Sequence, residues 1–331
     1  MSDNYVIALD VGGTVFKAAL TAPDNEPLYE ARRPTGGTSS VAEAILDFAT
    51  ELYATGVERF GRPPSAAGVV VPGIVDERAG VAVYSANLGW RDLPLRRLLT
   101  ERLDGIPVAL GHDVRAGGLA EGRLGAGAGY ERFLFIALGT GIAGAIGIEG
   151  RVEPGAHGGA GEIGHVIVRP RGARCGCGQH GCLETVASAA AIGRAWATAS
   201  ETPGATAADA ARAVVAGDAR AASLWRDAVD GLADGLLTGV RLLDPGLVVV
   251  GGGLAEAGET LLAPLRTALA ARTTFQRAPE ILPAALGDAA GCLGAGLLAW
   301  DLARHLAPAE REPRAPLAGL PELPTSAEVS P

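Results

Sequence analysis

The stretch YVIALDVGGTVFKAAL at residues 5–20 shares its plan with FLFIALGTGIAGAIGI at residues 133–148. Each copy is an apolar run, a turn of Gly and Thr, and a second apolar run. Such a repeat predicts two similar units, each presenting a Gly-rich hairpin turn. The elements around the copies support this. Residues 26–33 read as a third strand, 38–60 as a helix, 66–71 as a strand, 93–103 as a helix, 106–110 as a strand and 114–124 as a helix. After the second copy come helical runs near 186–199, 205–216 and 219–243, a strand at 247–250, and a helix from about 254 to 271 behind Gly251-Gly252-Gly253. A last strand, EILPA, precedes an apolar helix at 288–305 that is expected to pack back on the first unit. This order of elements predicts mixed sheets flanked by helices, an α/β fold. The tail from Pro308, with six prolines in 24 residues and no periodicity, reads as disordered.

Composition narrows the chemistry. At 331 residues and 48% hydrophobic, the chain has enough apolar surface for two cores. A net charge of −9 argues against a nucleic-acid partner, which requires a clustered cationic surface. The longest uncharged apolar run, residues 133–148, is shorter than the ~18–20 residues of a membrane span, so no membrane partner is expected. The opening MSDNYVIALD lacks the basic stretch of a secretory leader, which predicts a cytoplasmic protein. The basic residues are 27 Arg and a single Lys, Lys17.

The two hairpin turns suit a nucleotide triphosphate. Transfer of a phosphoryl group needs close backbone N–H donors, a hydroxyl and an acid that holds hydrated Mg²⁺. Asp10, Gly12, Gly13 and Thr14 supply these on the first hairpin, and Thr140 and Gly141 occupy the matching place in the second. Lys17, two positions beyond Val15, shares its strand face and is placed to reach a phosphate. Gly251, Gly252 and Gly253 follow a buried strand, where a flat backbone can receive adenosine or phosphate. The spacing matches neither a P-loop nor a GxGxxG fingerprint.

His165, Cys175, Cys177 and Cys182 form the ligand set of a closed structural zinc site. His180 competes for the fourth place, but Cys177 and Cys182 crowd it. A shell with three thiolates leaves no open position, so this zinc orders a loop and performs no chemistry. Glu162 and Glu184 flank the ligands, and two carboxylates on a rigid knot suit the hydroxyls of a sugar. In GHDVRAGGLAE, Asp113 stands at a strand-to-helix turn, as an N-cap or as a general base for a sugar hydroxyl. The glycines Gly117 and Gly118 in the helix that follows signal close packing. Cys292, alone in an apolar helix, reads as core.

These motifs together resemble the ROK sugar kinases, bacterial glucokinases in particular, over residues 5 to 305. GEIGH at 161–165 and CGCGQHGCLET at 175–185 are the most specific part, supported by VPGIVD at 71–76, NLGW at 87–90, GTG at 139–141 and GGG at 251–253. The resemblance implies a two-lobed, actin-like (ribonuclease H-like) ATPase fold with duplicated mixed-sheet lobes. The smaller lobe would be residues 1–113 plus the helix at about 288–305, and the larger lobe 114–287. The resemblance also implies closure on a sugar and MgATP, a homodimer or homotetramer, and Asp113 as the base toward the sugar 6-hydroxyl. Gly73, Asn87, His112, Glu162, His165 and Glu184 would line the sugar pocket. Three positions depart from the family pattern: His112 stands where Asn is usual, Ala143 and Ala145 where Gly is common, and Val15 where Lys is common. The expected reaction is ATP-dependent phosphorylation of glucose, with N-acetylmannosamine, N-acetylglucosamine or fructose as alternative acceptors. A sugar sensor without catalysis is the alternative of another class, and retention of Asp10, Asp113 and both phosphate turns speaks against it.

Overall fold

The structure is a computed structural model that describes residues 4–36, 40–85 and 88–306. Strands β1 (Val6–Val11), β2 (Val15–Thr21) and β3 (Pro27–Pro34) pair antiparallel in chain order. Helix α1 (Val41–Phe60) starts where the Ser40 hydroxyl accepts from Glu43 N at 3.2 Å. Parallel strands β4 (Ala67–Val71) and β8 (Val108–His112) complete a sheet of order β3-β2-β1-β4-β8. Between β4 and β8 lie a small antiparallel sheet, β5 (Ile74–Asp76), β6 (Val81–Ser85) and β7 (Trp90–Leu93), and helix α2 (Leu95–Arg102). That small sheet has no counterpart among the expected elements. Its strands are too short to show a clear alternation.

Helix α3 (Asp113–Leu124) leads into the second unit. There β9 (Arg132–Leu138), β10 (Ile142–Ile148) and β11 (Arg151–Val152) pair antiparallel. Helices α4 (Glu184–Ala187), α5 (Ala189–Ala199), α6 (Ala207–Val215) and α7 (Ala219–Leu243) follow. Strand β12 (Leu247–Gly251), helix α8 (Glu259–Arg272), strand β13 (Glu280–Pro283) and helix α9 (Ala290–Leu306) end the described chain. The second sheet has the order β11-β10-β9-β12-β13, with β12 parallel to both neighbours. Three antiparallel strands followed by two parallel ones occur in both sheets, so the repeat extends to the whole topology. This is the actin-like ATPase fold with duplicated mixed-sheet lobes.

Hydrophobic alternation assigns the faces. Ile7, Leu9 and Val11 point into a core with α1, while Val6 and Ala8 point to the other face, under Ala299, Trp300 and Ala295 of α9. A strand covered on both sides reads as an unbroken apolar run, as β1 does. The second lobe has its own core, in which Leu134, Ile136 and Val248 meet Leu232 and Leu236 of α7 and Leu265 of α8. Helix α9 leaves the second lobe and packs on β1, β4 and β8 of the first, where it also crosses α3. The crossing is tight: a Cβ on Gly294 would lie 2.1 Å from the Ala116 carbonyl oxygen. The helix α3 glycines serve the same purpose on its other side, since a Cβ on Gly118 would lie 2.5 Å from Ala145 Cβ. Cys292 packs in this layer beside Ala8, Val70 and Ala116.

Two expected helices are divided. Ser188 separates α4 from α5 and caps α5 by accepting from Ala191 N at 3.1 Å. Gly258 (φ +57°) separates a 3₁₀ turn at Gly253–Ala257 from α8, so the Gly triplet does not open directly into an α-helix. The Pro-rich segment from Pro308 lies outside the described residues.

Candidate active site

Two lobes joined by α3 and α9 leave a cleft of about 640 Å³ between them. Asp10, Gly12 and Lys17 from the first hairpin, Asp113 from the start of α3, and Gly251, Gly252 and Gly253 from the end of β12 line it. Asp10 and Lys17 are cross-strand partners in the β1–β2 register, which sets both at one end of the hairpin. Asp10 is buried, and helix α9 approaches it so closely that a Cβ on Gly291 would sit 2.5 Å from its Oδ2. Burial is the main reason its carboxyl is raised to about 6; the charge of Asp113 adds to the rise, Lys17 opposes it, and Asp288 adds further.

Lys17 donates from Nζ to the Asp288 carbonyl oxygen at 3.0 Å and forms an ion pair with the Asp288 carboxylate, which Arg32 also contacts at 3.1 Å. Asp288 is not among the residues that the sequence motifs single out. Its signal was an acidic residue at the turn before an apolar helix, and its placement depends on α9 returning to the first lobe. Thr14 is exposed at the hairpin tip. Thr35, also absent from the expected site, braces that hairpin: its N donates to the Thr14 carbonyl at 2.9 Å and its hydroxyl to the Gly12 carbonyl at 2.6 Å.

Gly252 adopts φ +81°, and a Cβ there would fall 2.5 Å from the Leu138 carbonyl oxygen, so no other residue fits this turn. Beyond it opens a second cavity of about 1050 Å³ lined by Ala189, Gly193, Ala205, Ala211, Gly253 and Leu254. Gly253 and Glu256 line both spaces. Small side chains on α5 and α6 create this cavity, a pattern indistinguishable in sequence from ordinary tight helix packing.

Asp113 is the first residue of α3, and its Oδ1 accepts from Val114 N at 2.7 Å. The cap position belongs to His112, whose Nδ1 accepts from Arg115 N at 3.4 Å. The imidazole is 7% exposed and lines a different cavity, with Glu77, Arg115, Arg123 and Asp301. Burial is the largest influence on it and lowers its pKa, against the opposing effect of Asp113, so the surroundings disfavour the charged form of the ring.

The remaining expected residues gather around the thiols. The ligand atoms of His165, Cys175, Cys177 and Cys182 all lie within 4.8 Å of one another. Cys175 Sγ is 3.6 Å from His165 Nδ1, and Cys177 Sγ is 3.7 Å from Cys182 Sγ. A tetrahedral shell with Zn–S near ~2.3 Å and Zn–N near ~2.0 Å sets its ligand atoms roughly 3.5–3.8 Å apart, so this cluster fits zinc. His180 instead faces the Gly172 carbonyl at 3.3 Å and is not in the cluster. The loop closes on itself through Cys175 N to Gln179 O at 2.8 Å and through the bridge between Ile167 and Cys182. Gly181 (φ +75°) passes so near Arg169 that a Cβ would sit 1.6 Å from its carbonyl oxygen.

Both flanking carboxylates adjoin this knot. Glu162 Oε2 lies 3.7 Å from His165 Nε2, and Glu184 Oε1 lies 3.7 Å from Cys175 Sγ. Glu184 Oε2 accepts from Ile142 N at 3.1 Å, and a Cβ on Gly141 would lie 2.3 Å from that oxygen, so the second hairpin turn lies beside Glu184. Thr140 is exposed at the tip of that turn. Gly73 (φ +100°) turns the chain between β4 and β5, and Asn87 lies outside the described residues. Among the described residues no helix is long and apolar enough to cross a membrane.

Comparison with known proteins agrees with this geometry. The ROK family profile matches residues 6–301. A glucokinase of Halalkalibacterium halodurans is 35% identical over 322 residues, covering 90% of this chain and 96% of that protein. Among solved structures, a ROK hexokinase from Thermus thermophilus superposes with a TM-score of 0.79 at 35% identity, covering 91% of this chain and 99% of that one. A ROK family glucokinase from Streptomyces griseus, solved in complex with glucose and AMPPNP, superposes with a TM-score of 0.75 at 31% identity, over 90% of this chain and 100% of that one.

Proposed function

The chain belongs to the ROK family, and from that premise we propose that it is an ATP-dependent hexose kinase whose first acceptor is glucose, phosphorylated at the 6-hydroxyl. The observation that carries the proposal is the meeting of Asp10, Lys17, Asp113 and the 251–253 glycines in one inter-lobe cleft. In the proposed reaction the sugar O6 attacks the γ-phosphorus, the bond to the β,γ-bridging oxygen breaks, and the Asp113 carboxylate takes the hydroxyl proton. Asp113 suits this role because a backbone N–H at the start of α3 orients one of its oxygens, leaving the other for the substrate. The first hairpin and Lys17 hold phosphates. Gly251, Gly252 and Gly253 and the adjoining cavity receive the adenosine. Asp10 would hold hydrated Mg²⁺, which would supply positive charge to the phosphates. The reaction is assigned to the cytoplasm, where ATP is made.

Glu162, His165 and Glu184 grip the sugar hydroxyls in this reading. Zinc would be held by His165, Cys175, Cys177 and Cys182 and would order the segment that carries them. The donor set suits it, and the His165 Nε2 face left over points toward Glu162. The test is turnover of MgATP by the purified chain across glucose, fructose, mannose and the N-acetylhexosamines. Glucose is expected to give the highest kcat/KM. Turnover of none of them would overturn the kinase reading in favour of a sugar sensor.

A further inference from the structure

Arg115 stands two residues after Asp113 on α3, and its side chain is only 6% exposed. A guanidinium in such a place needs its charge and its N–H groups satisfied. Its Nε and Nη2 both donate to Glu77 Oε1, at 3.0 and 2.8 Å, and Nη1 donates to the Gly158 carbonyl at 2.8 Å. The same Glu77 oxygen accepts from His112 N at 3.3 Å. His112 Nδ1 in turn accepts from Arg115 N at 3.4 Å. Four residues from three segments thus close one network.

Each segment carries part of the site. Glu77 directly follows β5, the strand that begins after Gly73. His112 and Arg115 bracket Asp113. Gly158 lies in the loop that leads to Glu162, and that loop rests on β5 so closely that a Cβ on Gly158 would be 2.7 Å from the Val75 carbonyl oxygen. The far end of the loop is pinned by Gly144 N donating to the Gly161 carbonyl at 2.8 Å. Gly158 also carries the Arg115 contact, which links the loop to the helix that carries Asp113.

We infer that Arg115, clamped by Glu77, is a positioning residue that sets the distance between Asp113 and the hexose-binding loop ending at Glu162. It touches neither substrate. The inference rests on the hexose kinase reading. A displacement of about 1 Å at a reacting group can cost on the order of a hundredfold in rate. Removing the clamp is therefore expected to weaken use of the hexose and to spare the nucleotide, whose proposed cleft is lined by Val114 and Gly117 of α3 while Arg115 and Leu119 line another cavity.

The test compares the wild type with Arg115→Gln and the milder Glu77→Asp, which retains the ion pair at altered length. For Arg115→Gln the hexose kcat/KM is expected to fall about tenfold or more while the ATP KM stays within about twofold. Glu77→Asp is expected to fall between it and the wild type. Hydrogen exchange without substrates gives a readout independent of turnover, and the amides of residues 155–161 should exchange faster in Arg115→Gln. Unchanged exchange there, or equal losses toward hexose and ATP, would overturn the inference and leave the kinase reading standing. A wild type inactive on every hexose would overturn both.

Discussion

Asp10 lies near enough to Asp113 across the cleft floor for the charge of Asp113 to add to the effect of burial, and the Asp10 carboxyl is raised to about 6. An ordinary Asp titrates near ~3.9. Between about pH 4 and pH 6 the folded chain therefore holds a proton that the unfolded chain has lost, so stability falls as pH rises through that window and is level above it. The cost at pH 8 is roughly 3 kcal/mol. Asp10→Asn is expected to be more stable than the wild type at pH 8 by up to that amount and nearly equal at pH 4, as read by urea denaturation at both pH values. The same variant should lose turnover, because a neutral amide holds hydrated Mg²⁺ poorly. A variant as unstable as the wild type at pH 8 would refute the assignment of strain to this carboxyl.

Asp113→Asn should lower kcat by about 10²–10⁴-fold, the usual range for losing a general base. Its side-chain oxygen can still accept from Val114 N, so α3 and the cleft should persist. Calorimetry should find ATP affinity within about threefold of the wild type. A kcat within tenfold of the wild type would remove Asp113 from the catalytic role.

The thiol knot should bind one zinc ion per chain, countable by native mass spectrometry. Cys177→Ser is the informative substitution because Cys177 is the exposed ligand, whereas Cys175 and Cys182 are buried. It should release the metal and raise the hexose KM about tenfold or more, since Glu162 and Glu184 lose their shared anchor, while the ATP KM changes little. A metal-free variant with wild-type hexose KM would separate the knot from the sugar site.

Glu121 is fully buried on α3, and its carboxylate is satisfied by three backbone donors: Ala126 N at 2.9 Å, Ala285 N at 3.1 Å and Leu286 N at 2.8 Å. It ties the helix of Asp113, the proposed base, to the turn that presents Asp288. Glu121→Ala strands these donors and leaves a cavity, which should cost about 3–5 kcal/mol in urea denaturation. Lys17 would lose its partner's placement as well, so the ATP KM should rise. A loss below about 1 kcal/mol would show that water replaces the carboxylate.

Local pattern and ligand spacing were enough to reveal the duplicated hairpins, the order of the longer strands and helices, and the His165, Cys175, Cys177 and Cys182 set, because each is written within a few turns of chain. The ring and thiol spacing that suits zinc is a property of one compact segment, residues 165 to 182, and so was visible before folding. The small sheet from Ile74 to Leu93 escaped notice because strands of three to five residues carry too few positions to establish a period. Tertiary structure alone decided that Lys17 meets Asp288 at a separation of 271 residues, and that Arg115 reaches Glu77 and Gly158. It also turned His112 away from the Asp10 cleft, since the ring caps α3 and is buried behind it. Residue type and spacing specify what a side chain can do. The return of α9 to the first lobe and the crossing with α3 specify which side chains meet, because contacts at long separation depend on how whole elements pack.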